Sequence, residues 1–387
     1  MLYYFDNAAT TAPSTEAIDA FADISFGKWY NPSSTVYDGG LDARVALEDA
    51  RRTIADSIGA NPEQIFFTSG STEAANWIIQ GQIPRGEEDD WLIICSPIEH
   101  PCVYNTVKYM ESCGVLTRWL SVDERGRVSH EEIAAILLDP SMYKKHVLIC
   151  VMSVNNETGV IQPVDKIVEM VEMDSEVLFL CDMTQSIAYD RKVNLGVDYA
   201  FASAHKFGGF KGCGFLYAKD PSSLRPFMYG GHQEGGLRPG TENVAAIVAM
   251  SKALKSYRDS VEQNLWNLNH LKKLLYCELH DSRIEALSLP PFVVGSAPNI
   301  LSVSFDGVDA NKLVAALNMD GFALSAGSAC STGENKPSRI LKAMMYSDEK
   351  ARQTVRISFE PDTKPYEVKL LVDSIRKHIE GGICKLE

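Results

Sequence analysis

The sequence predicts an α/β fold, a mainly parallel sheet covered on both faces, followed by a smaller α+β unit. Three observations carry this. Continuous apolar runs at Trp91–Cys95, 146–152 and 177–181 mark strands buried on both faces. Segments of helical period separate them, the alternation expected of right-handed crossover connections. After Asn243 that alternation gives way to a long helical stretch and then to short mixed elements.

Taken in order, Val45, Leu47, Ala50, Ile54 and Ile58 form a helical stripe that Gly59 ends. Residues 65–67 read as a short strand, and Gly70-Ser-Thr-Glu73 opens an apolar-periodic helix through Ile79. The strand at 91–95 precedes a helix from Pro101. The strand at 146–152 precedes a helix over 163–173, and 177–181 is the next strand. From Asn243 a helical stretch runs to about His280 and bridges two domains, with the boundary at roughly 250–260. Beyond it, strands are predicted at 301–305, 322–325 and 355–359, and helices at 311–318, 337–345 and 366–378.

Bulk properties exclude several function classes. The chain has 387 residues, 45% hydrophobic and 23% charged, and a net charge of -14. Nucleic-acid binding needs a basic face, so no nucleic-acid partner is expected. No apolar run approaches the roughly 20 residues of a membrane span. The N-terminus lacks a basic segment and a cleavage site, so a cytoplasmic location is expected. The nine cysteines are scattered and form no Cys-x-x-Cys pair, so neither a zinc site nor a thioredoxin-like motif is expected. Cys95, Cys150 and Cys181 lie within apolar runs and read as small core residues.

Candidate chemistry collects after the strand ends. Lys206 ends the run Tyr199-Ala-Phe-Ala-Ser-Ala-His-Lys206, and Asp182 closes an apolar run 24 residues upstream. Such a pair can hold pyridoxal 5'-phosphate: the amine condenses with the aldehyde, and the carboxylate keeps the pyridine nitrogen protonated. Ser69-Gly70-Ser71-Thr72 is either a phosphate-binding helix start or an ordinary cap. His100 is a ring able to stack on a planar cofactor and move protons, or a loop histidine. Asn155-Asn156-Glu157-Thr158-Gly159 has the composition of a turn. Gln185 can donate to the ring's phenolic oxygen, and Ser203 and His205 flank Lys206 within reach of phosphate. Arg356, on a strand, suits a bidentate grip on a carboxylate, or is a solvated edge residue. Cys330 lies in the small, polar stretch Ser325-Ala-Gly-Ser-Ala-Cys-Ser-Thr-Gly333, where no apolar pattern argues for a buried thiol. A thiol on such a loop attacks as thiolate if its pKa is lowered.

Together these residues resemble the cysteine desulfurases, pyridoxal-phosphate enzymes of the class V aminotransferase group, over essentially the full length. The branch most similar is the NifS/IscS-like group I. The matching stretches are Asp6-Asn-Ala-Ala-Thr-Thr11, Asn31-Pro-Ser-Ser34, Thr68-Ser-Gly-Ser-Thr-Glu73, Glu99-His100, Asn155-Asn-Glu-Thr-Gly159, Asp182-Met-Thr-Gln-Ser186, Ser203-Ala-His-Lys206, Arg238-Pro-Gly-Thr-Glu-Asn243 and Gly327-Ser-Ala-Cys330.

The resemblance implies the type I fold of pyridoxal-phosphate-dependent transferases, with a mainly parallel seven-stranded sheet. It implies a large domain over 15–255 and a small one formed by 1–14 with 256–387. Lys206 would hold the cofactor and move protons, Asp182 would bind its pyridine nitrogen, and His100 would stack on the ring. Ser71, Thr72, Ser203 and His205 would hold the phosphate, and Asn156 and Gln185 would face the phenolic oxygen. Arg356 and Asn156 would anchor the substrate carboxylate. Thr241 would reach the phosphate of a neighbouring subunit, which implies a homodimer with shared sites. Cys330 would take sulfur from L-cysteine as a persulfide, releasing L-alanine. A sulfur acceptor or iron–sulfur scaffold protein would then receive it, for iron–sulfur cluster or thio-cofactor assembly. Selenocysteine lyase, or another reaction of the class V group, is the alternative. The sequence departs from the family pattern at His232, Gly235, Glu360 and Tyr37.

Overall fold

The computed structural model describes residues 2–172, 174–190, 193–288, 295–327, 337–382 and 384. After strand β1 (Tyr3–Tyr4), helix α1 (Thr15–Gly27) opens where the Ser14 side chain accepts from the Ala17 N–H. Helix α2 (Asp38–Ile58) carries the predicted stripe from Leu47 onward, Val45 instead being exposed, and stops at Gly59, whose φ of 82° only glycine adopts freely. Strand and helix then alternate: β2 (Ile65–Thr68), α3 (Ser71–Gly81), β3 (Trp91–Cys95), α4 (Pro101–Ser112), β4 (Leu116–Trp119), α5 (His130–Leu138), β5 (His146–Cys150), α6 (Val164–Val171) and β6 (Val177–Asp182). Strands β7 (Tyr199–Ser203) and β8 (Gly214–Ala218) follow.

These strands form one seven-stranded sheet in the order β2-β8-β7-β6-β5-β3-β4. Only β8 runs against its neighbours, and the rest of the ladder is parallel. Alternate side chains serve opposite faces. Ile94, Ile149, Phe179 and Ala200 pack toward α2 and the helix α7 (Val244–Asp259). Ile93, Leu148, Leu180 and Phe201 pack toward α3 and α4. Both faces are therefore dry, which is why these strands read as unbroken apolar runs.

Helix α8 (Val261–Asp281) leads into the C-terminal unit. The helical stretch expected from 243 to 280 is thus two helices, broken at Ser260. Strands β9 (Leu287–Ser288), β10 (Ile300–Phe305) and, after helix α9 (Ala310–Met319), β11 (Phe322–Ala323) come next. Helices α10 (Arg339–Ala343) and α11 (Asp348–Arg352), strand β12 (Thr354–Ser358) and helix α12 (Pro365–Glu380) complete it. The helix expected over 337–345 is shorter because Ser338 caps it, its hydroxyl accepting from the Leu341 N–H. β12, β10 and β9 form an antiparallel sheet. β1 pairs in parallel with β11, and Asp6 bridges to Ser358, so the start of the chain is sewn into its last third. Among the described residues no helix is long and apolar enough to cross a membrane.

Candidate active site

Parallel strands deliver their polar residues to one edge of the sheet, just past their C-terminal ends. A cavity of about 230 Å³ opens there. Ten of the twelve site residues named from sequence line it: Ser71, Thr72, His100, Asn156, Asp182, Gln185, Ser203, His205, Lys206 and Arg356. A larger, more open cleft of about 800 Å³ between α2 and the 232–242 segment contains none of them. Convergent polar chemistry, not volume, marks the smaller cavity as the site.

Asp182 is the last residue of β6 and is buried. Its Oδ1 accepts from the Thr184 N–H at 2.9 Å. Burial pushes its carboxyl pKa up, while Thr184, His100 and Lys206 pull it back. A carboxylate so placed gains most from a cationic N–H brought into the cavity. Lys206 ends the turn after β7, and its Nζ donates to the carbonyls of Ala8 and Ala9, each at 2.8 Å. His205 is kept neutral: burial, then Lys206, Lys211 and His100, lower its pKa to about 4.

The α3 N-terminus supplies an anion cradle. Ser71 Oγ lies 2.8 Å from both Thr184 Oγ1 and Ser203 Oγ, and the Ser71 N–H donates to Ser203 Oγ at 2.8 Å. Two glycines permit this closeness. A Cβ on Gly214 would sit 2.6 Å from the Ala202 carbonyl oxygen and 2.7 Å from Gly70 Cα, and Gly70 itself has a φ of 145°. Hydroxyls gathered at a helix N-terminus suit a phosphate.

On the opposite wall, Arg356 is fully buried on β12, which removes the solvated-edge reading. Its Nη1 donates to the Asn156 carbonyl at 2.8 Å, and its Nη2 to Asp6 Oδ1 at 2.7 Å. Arg356 Nε and Asn156 Oδ1 are buried with no hydrogen-bond partner among the described residues. Buried polar atoms are rarely left unpaired, so this wall is shaped for a polar ligand. With the hydroxyl cradle at one end and Asp182 and Lys206 between, the residues fit pyridoxal phosphate and an amino acid together.

One named residue lies elsewhere. Thr241 lines a separate crevice with Thr68, Arg238 and Glu242. Cys330 lies outside the described residues. Six participants escaped the sequence reading. Thr184 sits inside the Asp182–Gln185 stretch, and Met152 ends an apolar run. Asp6 and the Ala8 and Ala9 carbonyls belong to the quoted Asp6–Thr11 stretch, which gave no hint of what they would touch. Glu99, beside His100, is buried, and its Oε1 accepts from the Met152 N–H at 2.8 Å. The departure at Gly235 has a local reason, since its φ of 67° would strain any side-chain-bearing residue.

Comparison with known proteins adds to this geometry. The family profile described as aminotransferase class-V matches residues 3–371. The chain is 33% identical to the cysteine desulfurase IscS of Dictyoglomus turgidum, over 97% of this chain and 94% of that one. A solved NifS-like protein superposes with a TM-score of 0.89 at 32% identity, over 98% of this chain and 100% of the other. A solved complex of SspA with cysteine superposes with a TM-score of 0.78 at 29% identity, covering 93% and 99%.

Proposed function

Since the chain belongs to the aminotransferase class-V family, we infer that its cavity is the site of a pyridoxal-phosphate-dependent cysteine desulfurase acting on L-cysteine. The observation that carries this reading is the convergence of Lys206, Asp182, His100 and Arg356 on one small cavity. When bound, the cofactor supplies an electron sink for the pair left when the substrate Cα loses its proton.

This chain's residues do the rest. Asp182 would accept from the pyridine N–H, and the hydroxyls of Ser71, Thr72 and Ser203, with His205, would hold the phosphate. Gln185 lies against the N-terminal segment, its Nε2 donating to the Ala8 carbonyl at 2.9 Å. Arg356, pre-aimed by Asp6, grips the substrate carboxylate, and Asn156 shares that task. Lys206 leaves the Ala8 and Ala9 carbonyls and moves the proton at Cα. His100 would cover the ring. The Cys330 thiolate attacks the substrate sulfur; the C–S bond breaks with its electron pair left on Cβ, which takes up a proton, so a persulfide stays on Cys330 and L-alanine leaves. That sulfur then passes to an acceptor or iron–sulfur scaffold protein in the cytoplasm.

The functional unit in this reading is a homodimer. Tyr37, Leu41 and Val45 make an exposed stripe at helical spacing, with Phe26, Trp29 and Val36 exposed nearby in sequence. Contiguous apolar exposure of this kind marks an interface. The segment leading to Thr241 is rigid: buried Glu234, at a φ of 47°, accepts from both Arg51 Nη atoms and from the Phe67 N–H. In this reading Thr241 would serve a neighbouring subunit's phosphate. Within each subunit, residues 15–255 act as the cofactor domain and 1–14 with 256–387 as the smaller one.

The test is the product pair. With cofactor, L-cysteine and a reductant, alanine and sulfide should appear in equal amounts. Cys330→Ala should keep the cofactor's absorbance and lose sulfide release. Sulfide release by that variant at the wild-type rate would overturn the reading.

A further inference from the structure

We propose that Cys102 is a positioning residue for His100, its thiol and its backbone N–H together holding the imidazole as the Nε2–H tautomer. The proposal rests on the reading that His100 faces the cofactor. His100 caps α4, and the first helical residue, Pro101, has no N–H. The next N–H, that of Cys102, donates to His100 Nδ1 at 3.3 Å. Cys102 Sγ lies 3.0 Å from the same nitrogen. Nδ1 has a single in-plane lone pair, so an Nδ1–H tautomer would aim its proton at a backbone donor.

The thiol is the second donor. Burial raises the Cys102 pKa well above its usual value and lowers that of His100. The proton therefore stays on sulfur, and the pair is a thiol donating to a neutral ring rather than a thiolate beside an imidazolium. Asp182 on β6 favours a charged ring, whereas Lys206 after β7 and Arg339 on α10 oppose it. The thiol itself is anchored: the Cys102 carbonyl accepts from Thr106 Oγ1 at 2.7 Å, and the side chain packs in the α3–α4 core. His100 thus presents a fixed Nε2–H at the cavity and keeps its flat face available to the cofactor ring.

Holoenzyme labelled with 15N-histidine reports the tautomer directly, with His100→Gln assigning the signals. In the wild type, His100 Nδ1 should remain unprotonated from pH 6 to 9 (about this range brackets the ordinary histidine pKa). Cys102→Ala and Cys102→Val remove the donor, one leaving space and one filling it. Both should raise the His100 pKa, mix its tautomers and shift the acid limb of kcat/KM to higher pH, with about a threefold to tenfold loss on that limb, the scale of one hydrogen bond. Cys102→Ser should restore the wild-type tautomer and profile. Unchanged His100 signals in both the Ala and Val variants, or an Nδ1–H wild type, would overturn the proposal. A tautomer shift in a protein that releases no sulfide from cysteine would instead overturn the functional reading and leave the positioning role standing.

Discussion

Glu99→Gln isolates the strongest electrostatic burden beside the site. Burial lifts the Glu99 carboxyl from 4.5 to about 8, with nearby Asp182 adding to the rise and the Met152 N–H and Arg339 opposing it. The folded protein therefore holds a proton that the unfolded chain releases above pH 4.5. That stabilisation is complete below pH 4.5 and is lost as pH rises through about 8. At about 1.4 kcal/mol per pH unit, the loss between pH 5 and 8 is about 3.5 kcal/mol. Unfolding a chain of this length carries an entropy of about 0.8 kcal/mol/K, so that energy is worth about 4 °C in Tm. Glutamine keeps the oxygen that meets the Met152 N–H and has no proton to lose. Differential scanning of both cofactor-saturated proteins should show the Tm of Glu99→Gln, relative to wild type, rising by about 4 °C between pH 5 and 8. Asp182 is present in both proteins and cancels in the difference. A Tm gap constant to within about 1 °C across that range would refute the buried, protonated state assigned to Glu99.

Other perturbations reach the remaining walls. Arg356→Lys keeps the charge but loses the planar fork held by Asp6 and Asn156, so the KM for L-cysteine should rise about tenfold or more in steady-state sulfide assays while cofactor absorbance is retained. Ser203→Ala removes the hydroxyl that meets both the N–H and the Oγ of Ser71; titration of the apo-protein should show cofactor affinity falling about tenfold, the scale of a hydrogen bond to a charged group. Val36→Asp places a charge in the exposed apolar region, and light scattering should show a shift from dimer to monomer, with activity falling in parallel if Thr241 serves the neighbouring site.

The sheet was legible because its central strands are buried on both faces and so carry no polar interruptions. β4 was not: it lies at the edge of the sheet, is only partly buried, and its Thr117 and Arg118 break the apolar run. β8 begins at Gly214, the glycine that the close approach of Ala202 and Gly70 demands, inside a glycine-rich stretch that reads as turn. Within the site, residues that follow strands could be found because the chain order puts them there. Asp6 could not be assigned a role, since nothing local relates it to Arg356. The His100–Cys102 contact spans two residues, yet it depends on the capping geometry that a proline at the helix start creates, which spacing alone does not reveal.

The carbonyls of Ala8 and Ala9 that hold Lys206, and the Asp6 carboxylate that holds Arg356, leave the ribosome well before the residues they hold. Arg356 emerges 350 residues after Asp6, roughly 20 to 70 s later at ordinary elongation speeds. Between the emergence of β8 and that of β11, the N-terminal segment has neither β11 nor β12 to pair with, while the central sheet already possesses all its strands. Synthesis therefore yields a nascent chain whose hydroxyl cradle is built but whose Arg356 wall is missing, and the stretch that carries β12 is the one that closes the cavity.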